Sequence, residues 1–390
     1  MNTKIKKYKP NYFSLRKHKL PSWYDGAKLG IFVHWGLYSI PAFATNLGKN
    51  IKQIVKEKGF LEQFKNTPYA EWYLNSIRIK DSEAYKYHNT KYGENFDYYD
   101  FIPIFNNEIK NWNPIQMVEC IKKSGARYAV IVSKHHDGFL LWKTKYPHPK
   151  RPNFMSERDI ISDFVNAIRS LGLRLGIYYS GTFDWSFQNK PITDVINFIQ
   201  NGVTSKEYVE YVNNHWFELI DLFNPDILWN DIGYPPRTSV NKIFAYFYNK
   251  NPDGVINDRW IQIPNWIRWI LKQYIPRKIL EWITKRAFVK GGASMPVLYH
   301  CDFLTPEYGV FEKIKKKKWE QTRGIGNSFG YNQFEKEEHY ISRDELINMF
   351  IDIVSKNGNL LLNIGPKADG SIPEIQKKRL FELGEWLRIN

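Results

Sequence analysis

Short apolar runs that break off in polar clusters recur along the chain, and most are followed by a stretch of helical periodicity, the alternation expected of βα units. The first run, 29–33 (LGIFV), ends in His34-Trp35-Gly36. A long excursion over 40–110, rich in Tyr, Asn and Lys, then reads as a loop with short helices lying over the strand ends. Helical spacing at 114–124 leads to the run 128–132 (YAVIV), which ends in Ser133-Lys134-His135-His136-Asp137-Gly138. A helix at 159–171 precedes 173–181 (LRLGIYYSG), and one at 206–223 precedes 224–233 (NPDILWNDIG). Next come a helix at 240–249, a strand within 254–260 (GVINDRW), and strand candidates at 297–302 (VLYHCD) and 319–332. A helix at 343–355, a strand at 359–366 (NLLLNIGP) and a final helix at 373–387 complete the series.

Eight strand candidates, most of them separated by helices, predict an α/β chain of one domain, 1–390, folded as a (β/α)8 barrel. A doubly wound sheet competes, but it calls for a glycine-rich phosphate turn after an early strand, and none is present. One segment interrupts the repeat. Residues 262–296 carry Trp266, Trp269, Ile270, Ile279, Leu280, Trp282 and Ile283 at helical spacings, and Pro276 is placed to start a second helix. Two short amphipathic helices are expected there. A lid, or a contact between copies of the chain in a homo-oligomer, is the simpler reading of this insertion, ahead of a membrane-surface anchor.

Composition alters this picture little. With 390 residues, 43% hydrophobic and 25% charged, the chain is an ordinary globular sequence long enough for one large barrel. Cys120 and Cys301 lie far apart and match no redox or metal-ligand spacing. No stretch approaches the roughly 20 apolar residues that span a bilayer. Residues 1–20 are basic but lack the apolar core of a signal peptide, so a cytoplasmic location is expected. The net charge of +16 is concentrated in 1–20, 261–292 and 312–318, which leaves the remainder close to neutral. No nucleic-acid-binding motif accompanies that charge, and no nucleic-acid partner is expected.

In a barrel the polar clusters at the strand ends share one mouth. His34, His135, His136, Tyr178, Trp229, Asp231, Arg259, Asp302 and Glu307 then converge. Alone, Asp231 reads as a strand-end acid capping the next turn; in that company it becomes a candidate for chemistry. Adjacent histidines on an extended strand point to opposite faces, and no further ligands follow at metal-site spacing, so no metal is expected. Neutral imidazoles with Trp and Tyr suit a polyhydroxylated ligand, since imidazole donates and accepts while the rings pack on C–H faces. Glycoside hydrolysis needs two carboxyl groups flanking the scissile bond. Asp231, fixed beside Trp229, is the better nucleophile candidate. Asp302, Glu307 and Glu320 compete for the acid/base role, with Asp137 and Asp184 behind them.

The segments KLGIFVHWGLYS, SKHHDGFLLW, GIYYSGTFDW, LWNDIGYP, NDRW, DFLTPEY, TRGIGNSFGYN and NLLLNIGPKADG occur in that order over about 21–388. Together they resemble the α-L-fucosidases of glycoside hydrolase family 29. The resemblance implies an exo-acting, retaining hydrolase of terminal α-L-fucosyl groups on oligosaccharides or glycoconjugates, working without a cofactor. Asp231, in the WND motif, takes the nucleophile role and Glu307, in DFLTPEY, the acid/base role. His34, His135, His136, Tyr178, Trp229 and Arg259 are implied to line the sugar subsite. Glu71 and Trp72 are implied to contact hydroxyls, and Phe329 to pack near the C5 methyl. Family members commonly continue into a C-terminal β-sandwich, and a barrel without one is the expectation here. A catalytically silent fucose-binding barrel and a module that associates with polyanions or membrane surfaces are the alternatives.

Overall fold

A strand covered on both faces needs apolar side chains at odd and even positions alike, and the runs at 29–33 and 128–132 supply them. In the structure, a computed structural model describing every residue except 1–6, 47, 50, 274–277, 281 and 283–298, both runs become wholly buried strands. The strands are β1 (Leu29–Val33), β2 (Tyr128–Lys134), β3 (Arg174–Ser180), β4 (Ile227–Asp231), β5 (Val255–Ile256), β6 (Trp319–Gly324) and β7 (Gly358–Ile364). They form one parallel sheet in the order β5-β4-β3-β2-β1-β7-β6. Helices Pro114–Lys123, Ile160–Ser170, Lys206–Phe223, Val240–Lys250, Arg343–Ser355 and Glu374–Ile389 alternate with the strands, close to the bounds that the hydrophobic spacing predicts.

Alternate strand residues divide between two cores. Phe32, Tyr128, Val130, Val132, Tyr178, Ile227, Trp229 and Leu361 pack together inside the curl of the sheet, with Tyr24 and Phe303. The intervening Ile31, Ala129, Ile131, Ile177, Leu228, Leu360 and Leu362 belong to the outer core under the helices. Gly30 is required in β1 because any Cβ there would collide with the ring of Tyr128, which crosses it inside the curl.

The expected sixth strand is a correction. Val297 and Leu298 lie outside the described residues, and Tyr299–Asp302 are not strand. Residues 302–308 instead run between the two end strands. Asp302 N donates to Ile256 O (2.8 Å) on β5, Leu304 N to Lys318 O (3.0 Å), and Tyr308 N to Thr322 O (3.0 Å) on β6. Pro306 has no N–H to offer, so this stave pairs through isolated bridges, Leu304 with Trp319 and Glu307 with Thr322, and not as a regular strand. Seven strands with this segment between the ends make a curled parallel sheet consistent with a (β/α)8 barrel. Of the run expected at 319–332, only Trp319–Gly324 is strand; the rest is loop returning over the strand ends.

In the insertion, Asn265–Ile270 is a helix, whereas Pro276 and most of the second predicted helix lie outside the described residues. Arg268 Nη1 donates to Gly202 O (2.8 Å), tying the short helix to the barrel and leaving Trp266 and Trp269 each 64% exposed. Among the described residues, no helix is long and apolar enough to cross a membrane.

Candidate active site

A cavity of about 270 Å³ opens at the C-terminal ends of the strands, and the eleven residues to which the family resemblance gives a role line it, whereas Asp302, expected at the same mouth, does not. His34 follows β1, His135 and His136 follow β2, Tyr178 lies on β3, and Trp229 and Asp231 end β4. Arg259 follows β5, and Glu307 sits on the stave between β5 and β6. Glu71 and Trp72 come from the turn Ala70–Trp72 within the long excursion, and Phe329 from the loop after β6.

Both carboxylate oxygens of Asp231 are held. Tyr178 Oη donates to Oδ2 (2.9 Å) and Arg259 Nη1 to Oδ1 (2.9 Å). Arg259 also reaches Glu307 Oε2 through Nη2 (3.4 Å), so one guanidinium touches both carboxylates. Burial works against the charge of Arg259, but Asp231 and Glu307 outweigh it and hold its pKa above the ordinary value. Past Asp231 the chain turns sharply: Ile232, a β-branched residue, has φ +54° and Gly233 φ +78°. A left-handed conformation at isoleucine costs on the order of 1–3 kcal/mol, and it occurs here directly after the acid that the turn presents to the cavity.

The histidines are neutral acceptors. Burial pushes His34 down to about 4 and His135 and His136 well below their usual value. Asn363 Nδ2 donates to Phe329 O (2.7 Å), which turns its Oδ1 toward His34 Nδ1 (2.6 Å). The proton of His34 therefore sits on Nδ1, leaving Nε2 as a lone-pair acceptor. Ser180 donates to Phe183 O (2.8 Å) and accepts from His136 Nδ1 (2.7 Å), fixing the same tautomer. His136 Nε2 then stands 3.9 Å from Asp231 Oδ2. The expected divergence of His135 and His136 is a second correction. The β2–β3 register shifts between Val132 and Lys134, and a turn follows, so both rings enter the cavity with centroids 4.0 Å apart. An irregularity at a strand end re-aims side chains that a regular pleat would send to opposite faces.

The other acid/base candidates do not line the cavity. Glu320 is sequestered inside the curl, where it accepts from Tyr24 (2.9 Å), Tyr128 (2.5 Å) and the indole of Trp229 (3.0 Å). Asp184 pairs with Lys134 (2.9 Å), both fully buried, and Asp137 accepts from Tyr98 (2.8 Å). Asp302 accepts from Ile256 N (2.8 Å), Tyr248 (2.6 Å) and His18 (2.9 Å); burial opposes its charge, but hydrogen bonds from His18 and His300 prevail and hold it below the usual carboxylate range. His18, His300 and Asp302 also form a group whose metal-ligating atoms converge within 4.8 Å. Spacing could not show it, because His18 comes from the N-terminal segment. Each member already holds partners: His18 Nε2 bonds Pro252 O (2.9 Å) and His300 Nε2 bonds Tyr248 Oη (2.8 Å).

Sequence reasoning missed Tyr69, Asn363 and Ser180. Tyr69 Oη donates to Glu307 Oε1 (2.6 Å), and its ring meets Phe329 at 5.3 Å. Its only signal is its position two residues before Glu71 in a tyrosine-rich stretch. Glu71, 3% exposed, accepts from Gly330 N (2.7 Å), which ties the excursion to the loop after β6. Burial pushes its pKa up to about 8 from the usual 4.5. Below 4.5 the folded and unfolded chains both hold this proton; between 4.5 and 8 only the folded chain does. Stability should therefore fall as pH rises through that window, by at most about 1.4 kcal/mol per pH unit from this group, and level off above it. Glu71→Gln has no proton to lose, so its Tm relative to wild type should climb from pH 5 to 8 in thermal melts; parallel pH dependences would contradict this.

Comparison with known proteins shows the family to which the chain belongs. The sequence model of the α-L-fucosidase family, described as "Alpha-L-fucosidase", matches residues 1–390. The α-L-fucosidase of Branchiostoma floridae is 31% identical over 98% of this chain and 74% of its own length. Human plasma α-L-fucosidase is 30% identical over 98% of this chain and 71% of its own. The crystal structure of Thermotoga maritima α-fucosidase superposes with a TM-score of 0.80 at 42% identity, covering 98% of this chain and 77% of that one. With the match running from one end of the chain to the other, and a strand-end cavity that gathers two carboxylates with three neutral histidines, the chain belongs to the α-L-fucosidase family, glycoside hydrolase family 29.

Proposed function

We propose that the chain is an exo-acting, retaining α-L-fucosidase that removes terminal fucose by double displacement. Asp231 attacks the anomeric carbon to form a fucosyl-enzyme ester while Glu307 protonates the departing oxygen. Glu307 then takes a proton from water, which cleaves the ester and releases fucose. The observation that carries this reading is the guanidinium of Arg259 touching Asp231 (2.9 Å) and Glu307 (3.4 Å) at once. One guanidinium spanning both carboxyl groups turns them toward the same part of the cavity, as the pair of acids that flanks a scissile glycosidic bond requires.

The remaining residues match the ligand. The Nε2 atoms of His34 and His136 accept from sugar hydroxyls, and Glu71, protonated at neutral pH, donates to one. Trp72 and Trp229 present indoles to the ring, and Phe329 covers the methyl group, worth roughly 1 kcal/mol. The Thermotoga maritima enzyme, solved with fucose and with a mechanism-based inhibitor, supports the assignment. The test is the anomer formed first from an aryl α-L-fucoside, read by NMR before mutarotation. α-L-Fucose is expected; initial β-L-fucose would overturn the double displacement, and no turnover of any α-L-fucoside would overturn the activity.

A further inference from the structure

The cavity has two chemically different ends. Asp231, Arg259, Glu307, Glu71 and the histidines crowd one of them. Trp72 marks the boundary: its ring meets His136 edge-on at 5.5 Å on one side, and on the other lies parallel to Phe198 (6.4 Å, 5°) and 6.0 Å from Phe64. Beyond it the lining changes to Ile51, Phe60, Phe64, Val195 and Phe198, with Gln63 as a polar member between Phe60 and Phe64, and Ile232 adds an apolar wall directly beside Asp231.

This apolar end is built by design of the chain. Gly59 breaks the Ile51–Lys65 helix with φ +83°, and Phe60 and Phe64, four residues apart on the piece after the break, share a face. Val195 and Phe198, three apart on the helix Val195–Gln200, face them, with Phe64 and Phe198 6.2 Å apart. Six apolar side chains exceed what the single methyl of fucose needs, and Phe329 already stands over the polar end, 5.0 Å from His34. A second sugar placed against phenylalanine, isoleucine and valine would have the amide of Gln63 for one or two of its hydroxyls and leave the others without partners, which desolvation penalises.

We propose that this end is a leaving-group subsite for an apolar aglycone, so that the preferred substrates are α-L-fucosides of aromatic or long-alkyl alcohols. The proposal rests on the fucosidase reading of the polar end. Phe64, Phe198 and Ile232 set the preference: they hold the aglycone while its glycosidic oxygen lies between Asp231 and Glu307, and the alcohol leaves through the same apolar wall.

The test is a series of 4-alkylphenyl α-L-fucosides, from methyl to hexyl, assayed below their aggregation concentrations. The alkyl group barely alters the acidity of the phenol, so a trend in kcat/KM reports binding and not leaving-group chemistry. A fully buried methylene is worth about fourfold. With partial burial, kcat/KM is expected to rise at least about tenfold across the series, mainly through KM. Phe64→Ser and Phe198→Ser should each flatten that rise. A flat or falling series in the wild-type enzyme would overturn the subsite while leaving the fucosidase reading intact; hydrolysis of none of the compounds would overturn both.

Discussion

Asp231→Ala is expected to lose on the order of 10⁴-fold in kcat on an aryl α-L-fucoside, about 5.5 kcal/mol of transition-state stabilisation. Added azide or formate should restore part of the rate, because a small anion can occupy the space vacated by the carboxylate and attack the anomeric carbon itself. The size of the effect follows from how Asp231 is held. Tyr178 and Arg259 each take one of its oxygens, so the carboxylate is oriented before substrate arrives, and no neighbouring acid in the cavity is held in the same way. Wild-type turnover in this variant would remove Asp231 from the mechanism.

Glu307→Ala is expected to behave differently. Loss of a general acid typically costs 10²–10⁴-fold, and the cost grows as the leaving group becomes less able to depart unprotonated. A dinitrophenyl fucoside should therefore lose far less than an alkyl fucoside, and the steady-state rate on the activated substrate should respond to azide. The structure supports Glu307 for this role because Tyr69 Oη (2.6 Å) and Arg259 Nη2 (3.4 Å) fix its carboxyl at the cavity wall. An equal loss across all leaving groups would count against it.

The competing carboxylates show how far the sequence could be read. Asp231, Asp302, Glu307 and Glu320 all lie near strand ends or on the strands themselves, and linear spacing treats them alike. Periodicity says which face of a strand a residue occupies, but not its height along the barrel. Glu320, at the second position of β6, points inside the curl and meets Tyr24, Tyr128 and Trp229 well below the mouth. Asp302 opens the 302–308 stave and serves His18, Tyr248 and the backbone of β5. Glu307, five residues further along the same stave, has climbed to the mouth.

The hydrophobic pattern and the motifs determined the alternation of strands and helices, the polar clusters at the strand ends and the likeness to a single enzyme family. Those features depend on side-chain chemistry at short range, which a linear sequence records directly. Only the tertiary structure decided that residues 302–308 replace a regular sixth strand, that His135 and His136 enter the same cavity, and that Tyr69 meets Glu307, 238 positions away. It alone joined an apolar chamber to the polar cluster. A one-residue register shift, a prolyl nitrogen without a hydrogen and the crossing of distant loops settled these points, and none of them leaves a periodic trace in the chain.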